Sequence, residues 1–188
     1  MTDRKPLKVT LLGATGSIGA STLDVMARHP DRYQIFALSA NTNVKVMAQL
    51  CETWSPDYAV MYDVLSADKL LAHFKTNAIH TQVLVGEAGL QQVVEHEDVD
   101  CVVAAIVGAA GLLPTLAAAK AGKRVLLANK EALVMSGKLF IDTAKENDAV
   151  LLPVDSEHNA IFQCLPDSLT THHSSVKITN QNDAAGIE

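Results

Sequence analysis

The stretch that decides the fold is LKVTLLGATGSIG, residues 7–19, in which a mostly apolar run is followed at once by three glycines. The apolar run predicts a buried strand of a parallel sheet. Gly13, Gly16 and Gly19 recur at every third residue, and helical spacing follows them. In a doubly wound sheet, this first strand-to-helix turn binds the pyrophosphate of a dinucleotide. We therefore predict such a site, and a tight structural turn is the alternative.

The rest of the chain repeats this alternation of strand and helix. Further predicted strands are YQIFALS, DYAVMY, TQVLVG, CVVAAIVG, RVLLAN and AVLLPV. Helical spacing is found at about residues 17–29, 44–54, 67–74, 88–95, 113–121 and 133–147, and a last helix is predicted near residue 158. Apolar strands separated by helices predict an α/β fold with a doubly wound, mostly parallel sheet.

Composition and charge argue against nucleic acid as a partner. The chain of 188 residues is 48% hydrophobic, which suffices for a real core, and its net charge of −6 comes with scattered Lys and Arg, so we expect no nucleic acid. The segment MTDRKPLKVTLL lacks a long apolar run with a small-residue cleavage site, so we expect no export signal. Cys51, Cys101 and Cys164 lack CxxC spacing, which predicts three buried thiols in a reducing, cytoplasmic environment.

One uncharged segment has almost the length of a membrane span. It is CVVAAIVGAAGLLPTLAAA, residues 101–119. Gly108, Gly111 and Pro114 interrupt it, which favours a strand, a glycine turn and a helix with Pro114 in its first turn. We therefore expect no membrane association, and a membrane span is the alternative.

The loop after the second strand indicates which dinucleotide is bound. The segment ALSANTNVK has no Asp or Glu to accept a hydrogen bond from the ribose 2′-hydroxyl of NAD. Asn41, Thr42 and Asn43, with Lys45 nearby, could instead hold a 2′-phosphate, which favours NADP. The alternative is an ordinary polar loop that caps the next helix.

Two later segments place polar side chains where strands are predicted to end. In LLANKEALV, residues 126–134, Asn129, Lys130 and Glu131 follow a strand and could orient a nicotinamide and a substrate. The alternative is a solvated helix start.

The other segment is PVDSEHN, residues 153–159. In an extended backbone, the carboxylates of Asp155 and Glu157 lie on the same side of Ser156 and could bind Mg²⁺ or Mn²⁺. The alternative is a helix N-terminus capped by Asp155 or Ser156.

Four motifs in this order closely resemble the 1-deoxy-D-xylulose 5-phosphate reductoisomerase family of the non-mevalonate isoprenoid pathway. They are GATGSIGASTLDV, AAIVGAAGLLPTLAA, LLANKEALV and PVDSEHNAIFQ, and the resemblance runs from about residue 7 to residue 166. It implies conversion of 1-deoxy-D-xylulose 5-phosphate to 2-C-methyl-D-erythritol 4-phosphate, by rearrangement to an aldehyde and hydride transfer from NADPH.

The resemblance implies roles for individual residues. With Gly13 of the glycine turn, the cofactor-binding residues are Thr15, Gly16, Ser17, Ile18, Asn41, Thr42, Asn43, Asn129 and Glu131. The implied metal ligands are Asp155 and Glu157. The implied substrate contacts, which we group as catalytic, are Lys130, Ser156 and Glu157.

The resemblance also predicts the domain organisation. We expect a Rossmann-like NADP-binding domain over residues 1–150 and the beginning of a truncated catalytic domain, with a divergent tail, over residues 151–188. For the full-length enzyme it implies a homodimer that acts on a small sugar phosphate. The alternative function is a truncated, catalytically inactive NADP-binding module.

Overall fold

The computed structural model describes residues 5–128 and 130–154 and positions 160 and 164, with the side chains of residues 130–135 excepted. Its strands are β1 (Leu7–Leu12), β2 (Tyr33–Ala40), β3 (Tyr58–Met61), β4 (Gln82–Val85), β5 (Cys101–Ala104), β6 (Arg124–Leu127) and β7 (Val150–Pro153). Its α-helices are α1 (Ser17–Ala27), α2 (Val44–Trp54), α3 (Val64–Asn77), α4 (Gly86–Glu95), α5 (Leu112–Lys120) and α6 (Lys130–Glu146).

The described strands form one parallel sheet in the order β4-β3-β2-β1-β5-β6-β7. The chain builds outward from β1 in one direction as far as β4 and then crosses back to place β5 on the other side of β1. This reversal is the switch point at which a doubly wound sheet opens a crevice beyond the carboxyl ends of its strands. The predicted fold class is therefore confirmed.

Helices cover the two faces of the sheet, and each face has its own core. Leu11 of β1 packs with Leu23 of α1 and Met47 of α2 on one face. The next residue, Leu12, belongs to the opposite core with Leu116 of α5 and Phe140 of α6. Neighbouring residues of β1 thus serve opposite faces, which is why apolar residues occupy both faces of the strand.

Several element bounds differ from the predicted ones, and local contacts account for two of the differences. Helix α3 begins at Val64, three residues before its predicted start, because the carboxylate of Asp63 accepts hydrogen bonds from the Ser66 amide at 2.8 Å and the Ser66 hydroxyl at 2.9 Å. Strand β5 ends at Ala104, before the predicted residue 108, because Gly108 has φ +74° and a short 3₁₀ turn follows it. At one edge of the sheet, β7 pairs with β6 through Pro153.

The fold tests the predictions for the uncharged segment and for the burial of the cysteines. Residues 101–119 form β5, the 3₁₀ turn and most of α5, so the membrane-span alternative is wrong, and among the described residues no helix is long and apolar enough to cross a bilayer. Cys51 and Cys101 are buried, as predicted, whereas Cys164 is exposed, so the prediction of a third buried thiol is wrong. The predicted helix near residue 158 begins outside the described residues.

Candidate dinucleotide site at the carboxyl edge of the sheet

The three glycines after β1 do different physical work. Gly13 has φ +81°, and a Cβ atom there would lie 2.7 Å from the carbonyl oxygen of Ala105, just beyond β5. A Cβ atom at Gly19 would lie 2.5 Å from the carbonyl oxygen of Ala14. Real Cβ atoms do not approach backbone oxygens so closely. These two glycines are therefore needed for the turn and α1 to pack against the sheet.

Gly16 is different, because no contact in the described part of the chain requires it to be glycine. Its φ of −87° and ψ of 173° are open to any residue, and a Cβ atom there would meet only the Gly13 carbonyl oxygen, at an ordinary 3.5 Å. Gly16 is exposed and is the N-cap residue of α1. A glycine that packing does not require, at an open helix N-terminus, leaves room for a ligand to approach the backbone.

The start of α1 has the electrostatics of an anion site. No side chain caps the helix, and its first turn contains no acidic residue. The first amides of a helix have no intrahelical acceptor, and the helix dipole adds partial positive charge there. Ser17 and Ile18 are exposed at this end, and Thr15 is half-buried in the turn. The predicted pyrophosphate residues are thus brought together around free amides.

A residue of β2 that sequence analysis missed holds the turn in place. Ser39 is 2% exposed, and its hydroxyl oxygen accepts a hydrogen bond from the Gly13 amide at 3.0 Å. Its carbonyl oxygen accepts another from the Ala14 amide at 2.8 Å. The only sequence signal was a polar residue at the apolar end of a strand, and this pattern does not say which amide the hydroxyl would bind.

The loop after β2 is exposed at each predicted contact residue, Asn41, Thr42 and Asn43. The side-chain oxygen of Asn43 accepts a hydrogen bond from the Val46 amide at 3.2 Å, so this residue caps α2, as the structural alternative predicted. Its amide nitrogen and the side chains of the other two remain open to a ligand. Asp63 lies in the next strand-to-helix connection, between β3 and α3. Hydrogen bonds from the Ser66 amide and hydroxyl lower the pKa of its carboxyl group.

The predicted nicotinamide and metal residues are only partly covered by the structure. Helix α6 begins at Lys130, directly beyond the carboxyl end of β6, so the backbone of Lys130 and Glu131 forms its first turn. Asn129, Asp155, Ser156 and Glu157 lie outside the described residues.

The chain nevertheless brings the start of the predicted metal motif to the same edge of the sheet. The Val154 amide donates a hydrogen bond to the carbonyl oxygen of Leu127, at the end of β6, at 3.0 Å. In the described part of the chain, no three His, Cys, Asp or Glu side chains form a group that could hold a metal ion.

A cleft of about 350 Å³ lies beside α1. It is lined by α1 and by residues at the carboxyl ends of β5, β6 and β7, namely Ser17, Ile18, Ser21, Thr22, Val25, Val103, Leu126 and Val154. A larger cavity of about 580 Å³ lies at the amino edge of the sheet, around Tyr58, Gln82 and His96. That cavity is remote from the glycine turn, because amino and carboxyl ends lie at opposite edges of a parallel sheet.

The parallel sheet with its switch point, the open glycine turn and the uncapped α1 are the features of the dinucleotide-binding class of α/β proteins. Comparison with known proteins gives the family. Residues 9–137 match the sequence model of 1-deoxy-D-xylulose 5-phosphate reductoisomerase, which covers more than half of the chain. The chain belongs to the 1-deoxy-D-xylulose 5-phosphate reductoisomerase family.

Individual relatives agree with this assignment. The 1-deoxy-D-xylulose 5-phosphate reductoisomerase of Stutzerimonas stutzeri is 59% identical over 162 residues, which are 86% of this chain and 41% of that protein. A crystal structure of DOX-P reductoisomerase in complex with NADPH, fosmidomycin and magnesium aligns with a TM-score of 0.84 and 48% identity, over 89% of this chain and 42% of that one. The Zymomonas mobilis enzyme in complex with NADPH aligns with a TM-score of 0.81 and 47% identity, over 86% and 42% of the two chains. The chain thus spans about two fifths of the length of these relatives.

Proposed function

We propose that this chain is the NADPH-binding part of a reductoisomerase that converts 1-deoxy-D-xylulose 5-phosphate to 2-C-methyl-D-erythritol 4-phosphate. The observation that carries the proposal is the open backbone at Gly16, where a Cβ atom would meet no contact closer than 3.5 Å and where free amides of α1 face an approaching anion. The family membership supplies the reaction class, and two solved relatives are described as complexes with NADPH.

The loop after β2 supports NADPH rather than NADH. Asn41 and Thr42 offer hydrogen-bond donors to a 2′-phosphate, and Asn43 can donate through its amide nitrogen while its oxygen caps α2. The side chains of this loop include no carboxylate that would repel a phosphate or bind the 2′-hydroxyl of NADH.

We assign the remaining roles from the resemblance of these motifs to those of the family. Asn129 and Glu131 contact the nicotinamide side of the cofactor, and Lys130, Ser156 and Glu157 contact the substrate. Asp155 and Glu157 bind Mg²⁺ or Mn²⁺, because carboxylate oxygens are the hard ligands that these ions prefer. When bound, NADPH would supply the hydride, and the metal ion would polarise the substrate carbonyl.

The second candidate function is NADPH binding without turnover. The fact that favours it is that the chain covers 41% of the Stutzerimonas stutzeri relative. An octahedral metal site needs more oxygen ligands than Asp155 and Glu157 provide, and transition-state stabilisation needs a closed site. Under either candidate function, we propose that residues 1–150 are the NADP-binding domain and that residues 151–188 begin a catalytic domain. We also propose that the complete enzyme is a cytoplasmic homodimer.

Titration of the purified chain with NADPH and NADH tests the cofactor proposal. We expect saturable binding that favours NADPH, since the 2′-phosphate adds hydrogen bonds to the 41–43 loop. Equal affinity for both would contradict the assignment of that loop, and binding of neither would contradict the whole site. An assay with 1-deoxy-D-xylulose 5-phosphate and Mn²⁺ separates the two candidate functions, since metal-dependent oxidation of NADPH would exclude the module without turnover.

A further inference from the structure

Tyr62, the residue after β3, is held directly beside the proposed 2′-phosphate loop. Its backbone amide lies 3.2 Å from the carbonyl oxygens of both Ala40 and Asn41 and donates to them. The preceding residue, Met61, is the register partner of Ala40 in the parallel pair of β2 and β3. The backbone of Tyr62 is therefore anchored where β2 gives way to the 41–43 loop.

The side chain of Tyr62 is more than half exposed and has two exposed apolar neighbours in the sequence. It is 55% exposed, and the nearby Val64 and Leu65 at the start of α3 are each 64% exposed. In the described part of the chain, the Tyr62 hydroxyl has no hydrogen-bond partner. Exposed large apolar groups that cluster together mark binding surfaces more often than scattered single ones do.

The carboxylate next to this surface, that of Asp63, accepts hydrogen bonds within the protein. Asp63 lies between Tyr62 and Val64, and its two carboxylate oxygens accept hydrogen bonds from Ser66. These bonds hold Asp63 at the N-terminus of α3 as its cap. What Tyr62 and its exposed neighbours offer a ligand is therefore mainly an apolar, aromatic surface.

The course of a bound dinucleotide leads across this surface. The pyrophosphate lies at α1, beyond β1, and the adenosine ribose lies at the end of β2. Continuing away from β1, the next strand in the sheet is β3, about 4.8 Å further on. The end of β3, where Tyr62 lies, is therefore within reach of an adenine attached to a ribose at the 41–43 loop.

We propose that Tyr62 stacks against the adenine ring of NADPH and so determines affinity for the adenosine half of the cofactor. This inference rests on the proposed NADPH site and adds a residue to it. A tyrosine ring is rigid and amphipathic, and stacking with a base needs no hydrogen-bond pattern. The ring therefore contributes affinity for the base, and the 41–43 loop discriminates at the 2′ position.

The test compares the wild-type chain with Tyr62→Ala, Tyr62→Phe and the control Leu139→Ala, which removes an apolar side chain that is 50% exposed on α6. The probes are NADPH, 2′,5′-ADP as the adenosine half and reduced nicotinamide mononucleotide as the half without adenine. We expect Tyr62→Ala to weaken both adenine-containing probes roughly tenfold. Tyr62→Phe keeps the ring and should stay within about twofold of wild type.

The outcomes are distinguishable. Unchanged affinity of Tyr62→Ala for 2′,5′-ADP would overturn the stacking proposal while leaving the NADPH site intact. The proposal would also be overturned if Tyr62→Ala weakened binding of the mononucleotide equally, or if Leu139→Ala weakened binding of the adenine-containing probes equally. The loss of affinity would then reflect general damage to the fold. A wild-type chain that binds neither NADPH nor 2′,5′-ADP would overturn both the stacking proposal and the proposed function.

Discussion

The amide of Gly13 donates a hydrogen bond to the hydroxyl oxygen of Ser39 at 3.0 Å, and this bond joins residues that are 26 positions apart. It ties the glycine turn to the neighbouring strand through a serine that is only 2% exposed. The Ser39 carbonyl oxygen receives the Ala14 amide at 2.8 Å, so the turn is held at two successive amides. Ser39 thereby positions the turn from which the free amides of α1 begin.

Removal of this hydroxyl should destabilise the fold. We expect Ser39→Ala to lower the free energy of unfolding by about 1–3 kcal/mol, because the Gly13 amide loses its acceptor in a partly buried place. Chemical denaturation followed by circular dichroism measures the change. The matched control is Thr53→Ala, which removes an exposed hydroxyl bonded only to the Gln49 carbonyl oxygen of its own helix and should change stability by no more than about 0.5 kcal/mol. Similar losses in both variants would contradict the role of Ser39.

The three glycines should respond differently to alanine. Gly13→Ala and Gly19→Ala should each lose about 1–3 kcal/mol of stability, since the added Cβ atoms would meet backbone oxygens at 2.7 and 2.5 Å. Gly16→Ala should lose less than about 1 kcal/mol, because alanine is only a poorer N-cap there. It should nevertheless weaken NADPH binding about tenfold or more, since the new methyl group stands where phosphate approaches.

Thermal melts and NADPH titrations of the same three variants give both numbers. Gly16→Ser would add a side-chain cap to α1 and serves as a second obstruction with better helix capping. If Gly16→Ala binds NADPH as tightly as wild type, the phosphate does not approach this backbone.

A carboxylate in the 41–43 loop should change cofactor preference. Asn41→Asp places a negative charge beside the proposed 2′-phosphate and gives the 2′-hydroxyl of NADH an acceptor. We expect weaker NADPH binding by roughly tenfold and equal or tighter NADH binding. Asn41→Gln keeps the amide and is the control. A parallel loss for both cofactors in Asn41→Asp would mean that the loop does not contact the 2′ position.

The cysteines should differ in reactivity towards a thiol reagent. Burial raises the pKa of Cys51 and of Cys101 to about 12, with the Glu52 carboxylate adding to the effect at Cys51. Only about one in ten thousand of these thiols is ionised at pH 8, and the thiolate is the reactive form. Iodoacetamide should therefore label exposed Cys164 first, and the other two should react only after denaturation.

Peptide mass spectrometry of the labelled chain identifies the modified residue. Cys164→Ser should remove the early labelling entirely. Early modification of Cys101 would show that the face of β5 opens to solvent far more readily than its buried position implies.

Local patterns in the sequence were enough for the order of the elements and for the glycine turn. Apolar strands alternate with helical spacing because both faces of a parallel sheet are covered by helices. Each strand must therefore be largely apolar, and this can be recognised in each segment by itself. For the same reason Gly13, Gly16 and Gly19 could be predicted to form a turn at the carboxyl end of β1. The start of α3 was also legible in principle, since Asp63 three residues before Ser66 is a capping pattern.

Only the tertiary structure shows which of these glycines are required by packing. Their spacing is regular, yet Gly13 and Gly19 are required by close contacts with backbone oxygens and Gly16 is not. Such contacts depend on how β5 and α1 pack around the turn. The cap formed by Asn43 and the bond from Gly13 to Ser39 are of the same kind, because the sequence offers each polar group several partners.

The neighbourhood of Tyr62 and the 41–43 loop was likewise decided by folding. Some twenty residues separate the two in the chain, and only the parallel pairing of β2 with β3 brings their ends together. Hydrophobic periodicity specifies which face a residue occupies and is silent on which strand will lie beside its own. Packing of the whole sheet determines which strands are neighbours. It therefore also determines which residues meet in a binding site at the carboxyl edge.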